Sequence, residues 1–289
     1  MTPERTSQVE SRNFVVLNVG SAQTCHRWDY ADISSPFVRI YYVVEGTATL
    51  HLPGGDVTVR PGHMYLIPTF IPHSYECHPG FRFYYLFVYE RFREKTDIFD
   101  LREFPVEVKA NEAADLLFRN FCHLYPNLSL PDADSEAFNT HPSYKQYAES
   151  YMNLERYEHL QLQGLVWIIF SYFMKHSRPK HEVADERMIR LADYVQEHLS
   201  QEITAERLAD VACVAKSHLP RLCHQAFGMS PLKYVTRKKV QYAQELLLTT
   251  DHSVQHIAAQ VGYTDPSYFL RVFRKVIGYT PQEYRERLR

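Results

Sequence analysis

The sequence has little of what a membrane protein, a zinc protein or a disulfide-bonded secreted domain needs. Its apolar runs, such as the six residues Leu165–Phe170, are far too short to cross a bilayer. The five cysteines show no zinc-ligand or disulfide-framework spacing, so we expect reduced thiols. The first residues carry no apolar signal segment. The sequence therefore predicts a cytoplasmic protein without membrane contact.

The chain also lacks a strong excess of either charge, with a formal net charge of −2, which by itself implies no particular partner. The charge is unevenly divided, however. Residues 184–289 carry 15 Lys/Arg against 12 Asp/Glu, and the rest carries 17 against 22. A mildly basic C-terminal part fits contact with phosphate groups. Hydrophobic residues make up 45% of the 289 residues, enough for the cores of two ordinary domains.

The pattern of apolar and turn-forming residues changes along the chain. From about Asn13 to Glu90, short apolar runs alternate with Gly and Pro turns every eight to twelve residues, which is typical of a small barrel. Residues 111–125 and 143–176 have helical periodicity, as does the region after Asp185. We predict a two-domain α+β protein. Its parts are a cupin-like domain at 1–177 (barrel about 13–105, helices about 111–176), a linker at 178–184 and an all-α domain at 185–289.

The C-terminal region contains an internal repeat of about 50 residues. Ser217–Leu222 corresponds to Ser267–Val272, and Gly228 corresponds to Gly278, both with an offset of 50. Upstream of these positions the offset is 49. Each copy has the pattern of a helix, a tight turn and a second helix, so the sequence predicts two helix-turn-helix elements.

The second copy has clear helix signals. Ser253 and Thr264 are suited to cap its two helices, Gly262 supplies the turn, and Pro266 falls in a first turn. The outer face carries Arg271, whose side chain can bond two acceptors on a guanine edge in a major groove. For one such pattern, a plain helical domain with a solvated charged face is an equal alternative, but the duplication argues against it. The positions predicted to face inward on the second helix are Tyr268, Phe269, Val272, Phe273 and Val276.

Residues 185–289 resemble the DNA-binding domain of the AraC/XylS family of bacterial regulators. The resemblance rests on the runs Ile257-Ala258-x-x-Val261-Gly262-Tyr263, Ser267-Tyr268-Phe269-x-Arg271 and Gly278-x-Thr280-Pro281. It implies two helix-turn-helix elements joined by a central helix, here about Leu232–Leu248, with recognition helices in successive major grooves. The residues expected to contact DNA are Lys216, Ser217, Pro220, Arg221 and His224 in the first element, and Pro266, Ser267, Leu270, Arg271 and Lys275 in the second.

The first element departs from the family pattern at two positions. Ala215 stands where the family usually has a capping Ser, and Pro220 stands where a polar residue is usual. If Ala215 is the cap, Pro220 is the fifth helical residue and removes one backbone hydrogen bond. If Ser217 is the cap, Pro220 falls in the first turn and is tolerated. We favour the second arrangement or a kinked helix.

The β region, about residues 25–90, resembles the cupin-like ligand-binding arm of the same family. The matching segments are Val44–Gly46, Arg60–His63, Leu66–Pro68, Pro72–Tyr75 and Phe87–Tyr89. They place Glu45, Tyr75, Tyr85 and Phe87 at positions that contact the sugar in the arabinose-responsive member. Period-two alternation adds Arg39 and Tyr41 to the face of Glu45. The resemblance implies a sugar or related metabolite as effector, and the expected ligand contacts are Arg39, Tyr41, Glu45, Tyr75, Tyr85 and Phe87.

Two simpler interpretations of the β region stay open. The rings could fill the barrel core with their hydroxyls at the rim, and Arg39 could pair with Glu45. A metal cupin enzyme would need two His and a Glu close together on one strand, and His51 has no such partners. The remaining histidines of the region, His26, His63, His73 and His78, are scattered. We therefore expect no metal, no cofactor and no catalytic residues.

These expectations combine into a sequence-specific, ligand-responsive regulator of transcription. The resemblance implies an activator, a homodimer formed by the helices within 143–176, and double-stranded promoter DNA and RNA polymerase as partners. Periodicity alone equally fits packing of those helices on their own barrel. One alternative is a cupin-type metal enzyme with a helical tail that does not bind DNA. The other is a constitutive DNA-binding protein without a ligand.

Overall fold

The computed structural model describes residues 14–23, 28–90, 98–130, 144–180 and 186–287. These residues fall into two compact units. The β-rich unit contains residues 14–90 and 104–177, and the helical unit contains residues 98–103 and 178–287. None of the helices within these ranges has the length and hydropathy of a bilayer-spanning segment.

The β-rich unit is built from two antiparallel sheets, which confirms the predicted cupin-like fold class. One sheet has the strand order β1-β8-β3-β6-β10 and the other the order β2-β7-β4-β5. The strands are β1 (Phe14–Gln23), β2 (Trp28–Ile33), β3 (Val38–Glu45), β4 (Ala48–Leu52), β5 (Gly55–Val59), β6 (His63–Ile67), β7 (His73–Cys77), β8 (Arg82–Glu90) and β10 (Glu107–Lys109).

The centre of the larger sheet is the pairing of β3 with β8. Both strands are rich in β-branched and aromatic residues, which favour the pleated conformation. Arg39 is opposite Phe87 and Tyr41 is opposite Tyr85, so these four side chains share one face. The register shifts between Val43 and Glu45, which marks a β-bulge at the end of β3.

Helices cover the outside of the larger sheet. They are α2 (Glu112–Leu124), α3 (Tyr144–Met152) and α4 (Arg156–Met174). The helical region predicted over 143–176 forms two helices, because the backbone nitrogen of Glu155 donates to the Glu158 carboxylate at 2.8 Å and a new helix starts there. α4 packs on β1, where the rings of Phe14 and Phe170 have centres 5.3 Å apart.

The helical unit contains the predicted all-α region together with a short segment from the middle of the chain. Its long helix α8 runs through the centre, with Val240 and Ala243 fully buried. The elements are α1 (Ile98–Leu101), β9 (Arg102–Glu103), β11 (Arg178–Pro179), α5 (Glu186–Glu197), α6 (Ala205–Val211), α7 (Leu219–Phe227), α8 (Pro231–Thr249), α9 (Val254–Gln260), α10 (Pro266–Ile277) and α11 (Pro281–Arg287).

Candidate DNA interface and ligand cavity

The first helix-turn-helix consists of α6 and α7. Thr204 caps α6 by accepting a hydrogen bond from the Arg207 backbone nitrogen at 3.2 Å. α7 starts after His218, so neither Ala215 nor Ser217 is its cap. Pro220 is nevertheless the second residue of the helix, where it removes no intrahelical hydrogen bond. The favoured placement of Pro220 in the first turn is therefore confirmed.

The second helix-turn-helix consists of α9 and α10. Ser253 caps α9, as predicted, by accepting from the His256 backbone nitrogen at 3.2 Å. The prediction that Thr264 caps α10 is wrong, since the Asp265 carboxylate takes that role by accepting from the Ser267 backbone nitrogen at 2.8 Å. Gly262 forms the turn with a φ of +73°, and a Cβ there would lie 2.8 Å from a backbone carbonyl. Only glycine fits this position without strain.

Each of α7 and α10 has a buried face and an exposed polar face. The inner side chains include Leu219 and Cys223 on α7, and Phe269 and Phe273 on α10. Most residues expected to contact DNA are exposed, and Pro266 is half-buried. The exposed ones are Lys216, Ser217, Pro220, Arg221, His224, Ser267, Leu270, Arg271 and Lys275.

Two side chains of α10 contradict the predicted inner face. Tyr268 and Val276 were expected to point inward, but they are 52% and 45% exposed. The buried stripe is narrower than predicted, because only Phe269 and Phe273 are fully enclosed. The outer face consequently carries an aromatic ring as well as polar groups.

Two residues expected to contact DNA, Arg271 and Lys216, make contacts that the sequence did not predict. The guanidinium carbon of Arg271 lies 5.8 Å from the centre of the Tyr268 ring. The Lys216 ammonium contacts the Glu206 carboxylate of α6, and this contact lowers the pKa of Glu206. The spacing of three residues between Tyr268 and Arg271 could have indicated the first contact. The second joins side chains ten residues apart across a turn, which periodicity does not predict.

The central helix α8 connects the two helix-turn-helix elements physically. The Lys239 ammonium donates to the carbonyl of Gln201, before α6, at 2.7 Å, and to the carbonyl of Gly262, in the second turn, at 3.2 Å. Burial lowers the pKa of Lys239 to about 8. Because one side chain bonds backbone from both elements, α8 couples the two helix-turn-helix elements within the helical unit.

The β-rich unit contains a cavity of about 40 Å³ between its two sheets. The lining is almost entirely apolar. The Tyr65 hydroxyl donates to Glu107 at 2.8 Å, and the Tyr41 hydroxyl accepts from Arg39 at 3.4 Å. The cavity is lined by Tyr41, Val43, Tyr65 and Phe83 of the larger sheet, Ala48, Thr49, Leu50, Val59, Tyr75 and Cys77 of the smaller sheet, and Phe81 before β8.

Of the six expected ligand contacts, Tyr41 and Tyr75 line this cavity, and the other four do not. Glu45 is exposed and pairs with Arg82 at 3.3 Å, because the β-bulge breaks the alternation that placed it beside Arg39. The suggested Arg39–Glu45 pair is therefore wrong. Tyr85 is buried, and its hydroxyl lies 3.1 Å from the Ser129 hydroxyl and accepts from the Leu130 backbone nitrogen. Phe87 packs under Arg39.

Arg39 is a buried cation, only 3% exposed, in the same sheet. It donates two hydrogen bonds to the Ser35 hydroxyl, at 2.8 and 3.0 Å. Its guanidinium carbon lies 4.8 Å from the centre of the Phe87 ring. Burial, followed by the charge of Arg39, lowers the pKa of His73 to about 4. Among the described residues, no group of three His, Cys, Asp or Glu side chains is placed to hold a metal ion.

Comparison with known proteins identifies both units. Residues 19–140 match the AraC-like ligand binding domain family, and residues 208–287 match a helix-turn-helix domain family. The arabinose operon regulatory protein of Escherichia coli is 27% identical over 244 residues, covering 84% of this chain and 78% of that protein. The structure of unsaturated fatty acid bound ToxT from Vibrio cholerae shares the fold, with a TM-score of 0.51, 14% identity and 96% coverage of both chains.

Other relatives match the C-terminal part alone. The MmsAB operon regulatory protein of Pseudomonas aeruginosa is 38% identical over 96 residues, covering 33% of this chain and 31% of that protein. The transcriptional activator RhaS of Escherichia fergusonii is 31% identical over 105 residues, covering 36% of this chain and 38% of that protein. These alignments span only about a third of each relative. With both of its domains matched, the chain belongs to the AraC family of DNA-binding transcription regulators with a ligand-binding domain.

Proposed function

We propose that the protein is a cytoplasmic, ligand-responsive activator of transcription that binds promoter DNA as a homodimer. The observation that supports DNA binding is the pair α7 and α10, two amphipathic helices with exposed arginines at equivalent positions in one compact unit. In the proposed complex both helices enter successive major grooves. Arg271 reads a guanine edge and Lys216 meets a phosphate. The name of the relative RhaS supports activation, and RNA polymerase is the contact that activation requires.

Selection of binding sites from random duplex DNA with the full chain tests this proposal. We expect one enriched sequence, bound with an affinity that falls steeply as salt rises, because lysine and arginine contacts release counterions from the phosphates. A chain that enriches no sequence and shows no salt-sensitive affinity for any duplex would not be a DNA-binding regulator.

The cavity lining guides the choice of effector. The name of the arabinose relative supports a sugar, but the hydroxyls of Tyr41 and Tyr65 are engaged with Arg39 and Glu107. Because the lining is almost entirely apolar, sugar hydroxyls in the cavity would mostly face carbon atoms, at a cost of about 1–3 kcal/mol for each unmade hydrogen bond. We therefore infer an effector that presents an apolar group to the cavity. An apolar cavity of roughly 150 Å³ is known to accept benzene, so we expect the cavity of about 40 Å³ to widen when a ring of that size enters.

Thermal unfolding of the full chain separates the two effector classes. We expect small aromatic probes such as indole or p-cresol to raise the unfolding temperature by a few degrees, and arabinose and rhamnose to leave it unchanged. Ala48→Leu places a larger side chain in the cavity, leaves no room for the probe and should remove the shift. Stabilisation by arabinose alone would make the effector a sugar, and no shift with either class would favour a constitutive DNA-binding protein.

The proposed dimer uses the outer face of α4. Leu160 and Ile168 are two helical turns apart on that face and are 68% and 45% exposed, and Tyr157 beside them is 62% exposed. On α2, Leu116 is 68% exposed. Apolar side chains in such a row are typical of a helix that packs on a second copy. Leu160→Glu with Ile168→Glu should give monomers in analytical ultracentrifugation, and an unchanged mass would place the interface elsewhere.

A further inference from the structure

A short segment from the middle of the chain belongs to the helical unit. The residues before and after it, up to Glu90 and from Phe104, belong to the β-rich unit. We call the segment Ile98–Glu103, which consists of α1 and β9, the strap. Ile98 and Phe99 are 1% and 9% exposed, so the first residues of the strap are buried.

Asp100 of the strap binds the first half of α8. One carboxylate oxygen lies 2.5 Å from the Lys238 ammonium and accepts from the Tyr234 hydroxyl at 3.1 Å. The other oxygen accepts from the Arg237 guanidinium at 3.0 Å. Lys238 is only 1% exposed and Asp100 only 11%. A buried ammonium needs a compensating carboxylate, and Asp100 of the strap supplies one to α8.

The pKa of Asp100 is consistent with this contact. Burial alone would raise that pKa, but the charges of Lys238 and Arg237 outweigh burial and hold it below its ordinary value. Asp100 therefore stays ionised at neutral pH, and the attachment of the strap to α8 is a permanent feature of the folded helical unit.

At its C-terminal end the strap is joined directly to the β-rich unit, with no linker residue between Glu103 and Phe104. β9 pairs with β11, with Glu103 opposite Arg178, and the guanidinium of Arg178 lies 3.5 Å from the Glu103 carboxylate. The next residue, Phe104, belongs to the β-rich unit, where its ring meets that of Phe170 with centres 5.6 Å apart. Consecutive Cα atoms are held about 3.8 Å apart. A displacement of Phe104 is therefore passed directly to Glu103 and the strap.

We propose that the strap carries changes in the β-rich unit to the DNA-binding helices, with Asp100 as the positioning residue for α8. Because α8 joins the two helix-turn-helix elements, a shift of its first half changes how α7 and α10 are presented to successive grooves. The inference rests on the proposed function of a ligand-responsive regulator, and it adds the route and the residue by which the response is transmitted.

A double-mutant cycle on the full chain tests the strap without an effector. Ala48→Leu overfills the cavity and perturbs the β-rich unit from within. Asp100→Asn with Lys238→Met removes the carboxylate together with the fully buried ammonium, and Arg237, whose side chain is 31% exposed, keeps contact with solvent. Affinity for a selected DNA site is measured for the wild type, for each variant and for their combination. Asp115→Asn with Arg119→Met, which removes a surface ion pair of α2, is the matched control.

We expect Ala48→Leu to change the DNA Kd roughly fivefold or more when Asp100 and Lys238 are present, and less than about twofold when they are replaced. In the control background the full change should persist. If Ala48→Leu changes the Kd equally in both backgrounds, or in neither, the proposal that the strap transmits the change is overturned. If circular dichroism shows that the Ala48→Leu variant is unfolded, Val59→Ala, which enlarges the same cavity, is used in its place. A wild-type chain without affinity for any duplex contradicts the proposed function itself, and the strap with it.

Discussion

The guanidinium of Arg271 lies over the ring of Tyr268, one helical turn earlier on the exposed face of α10. Attraction between the cation and the face of the ring limits the positions available to the long arginine side chain. A side chain that is partly ordered before binding loses less conformational entropy when it enters a groove. The pair therefore favours direct reading of a base edge by Arg271.

Arg271→Ala should weaken binding to the selected site by about 1–3 kcal/mol if the guanidinium bonds a guanine edge. Binding to unrelated duplexes should change much less, because that binding depends mainly on phosphate contacts. Arg190→Ala, at an exposed position of α5, removes the same charge and is the control. Competition binding measures both. An equal loss on specific and unrelated DNA would assign Arg271 to phosphate contact.

Tyr268 provides a second test of the same pair. Tyr268→Phe keeps the ring and should retain the affinity, whereas Tyr268→Ala should cost about 0.5–1 kcal/mol on the specific site. The measurement is the same competition assay. If both variants bind like the wild type, the ring does not position Arg271. If Phe is as weak as Ala, the hydroxyl is the important group.

The helical unit was largely predictable, since its local signals agree with its tertiary structure. The repeat that relates Arg221 to Arg271 predicted two equivalent helix pairs, and Ser253 and Gly262 occupy the capping and turn positions expected of them. The errors at Tyr268 and Val276 have one cause. The width of a buried stripe depends on which neighbouring helices cover it, and a single helix sequence does not contain that information.

The β-rich unit was predictable as a fold but less so as a site. Period-two alternation fails at the bulge between Val43 and Glu45, and a bulge has no clear sequence signal here. The association of Asp100 with Lys238 joins residues 138 positions apart in the chain. Neither residue lies in a motif that could have indicated this pairing, and buried ion pairs of this kind become visible only in three dimensions.

Glu206 should restrain DNA binding in the first helix-turn-helix. Its carboxylate contacts the Lys216 ammonium, and both side chains are more than half exposed. A surface ion pair of this kind is weak, but it engages a cation that is proposed to meet phosphate. Glu206→Gln should therefore tighten binding to all duplexes by roughly twofold to threefold at low salt, with the gain lost at high salt.

Salt-dependent binding to specific and random duplexes measures the effect of Glu206→Gln. Glu197→Gln, at an exposed position of α5, removes one negative charge away from the recognition helix and should give a smaller gain. Equal gains for the two variants would mean that the total charge, and not the release of Lys216, is responsible.

His73 gives the β-rich unit a buried group that titrates in the acid range. The side chain is 4% exposed, and one ring nitrogen lies 3.0 Å from the Ile71 carbonyl. Burial, with the positive charge of Arg39 nearby, lowers its pKa to about 4 from 6.5. Below pH 6.5 the unfolded chain takes up a proton that the folded protein does not bind until about pH 4.

Since the pKa of this base is lower in the fold than in the unfolded chain, the stability of the β-rich unit should fall as pH drops from 6.5 to 4. The contribution of His73 reaches at most about 3 kcal/mol at the acid end. His73→Phe keeps a ring in the site without a titrating group. The free energy of unfolding of this variant, measured with urea, should therefore fall less over this pH range than that of the wild type. His78→Gln, at an exposed position, should unfold like the wild type. Identical acid dependence for His73→Phe and the wild type would show that other groups cause the loss.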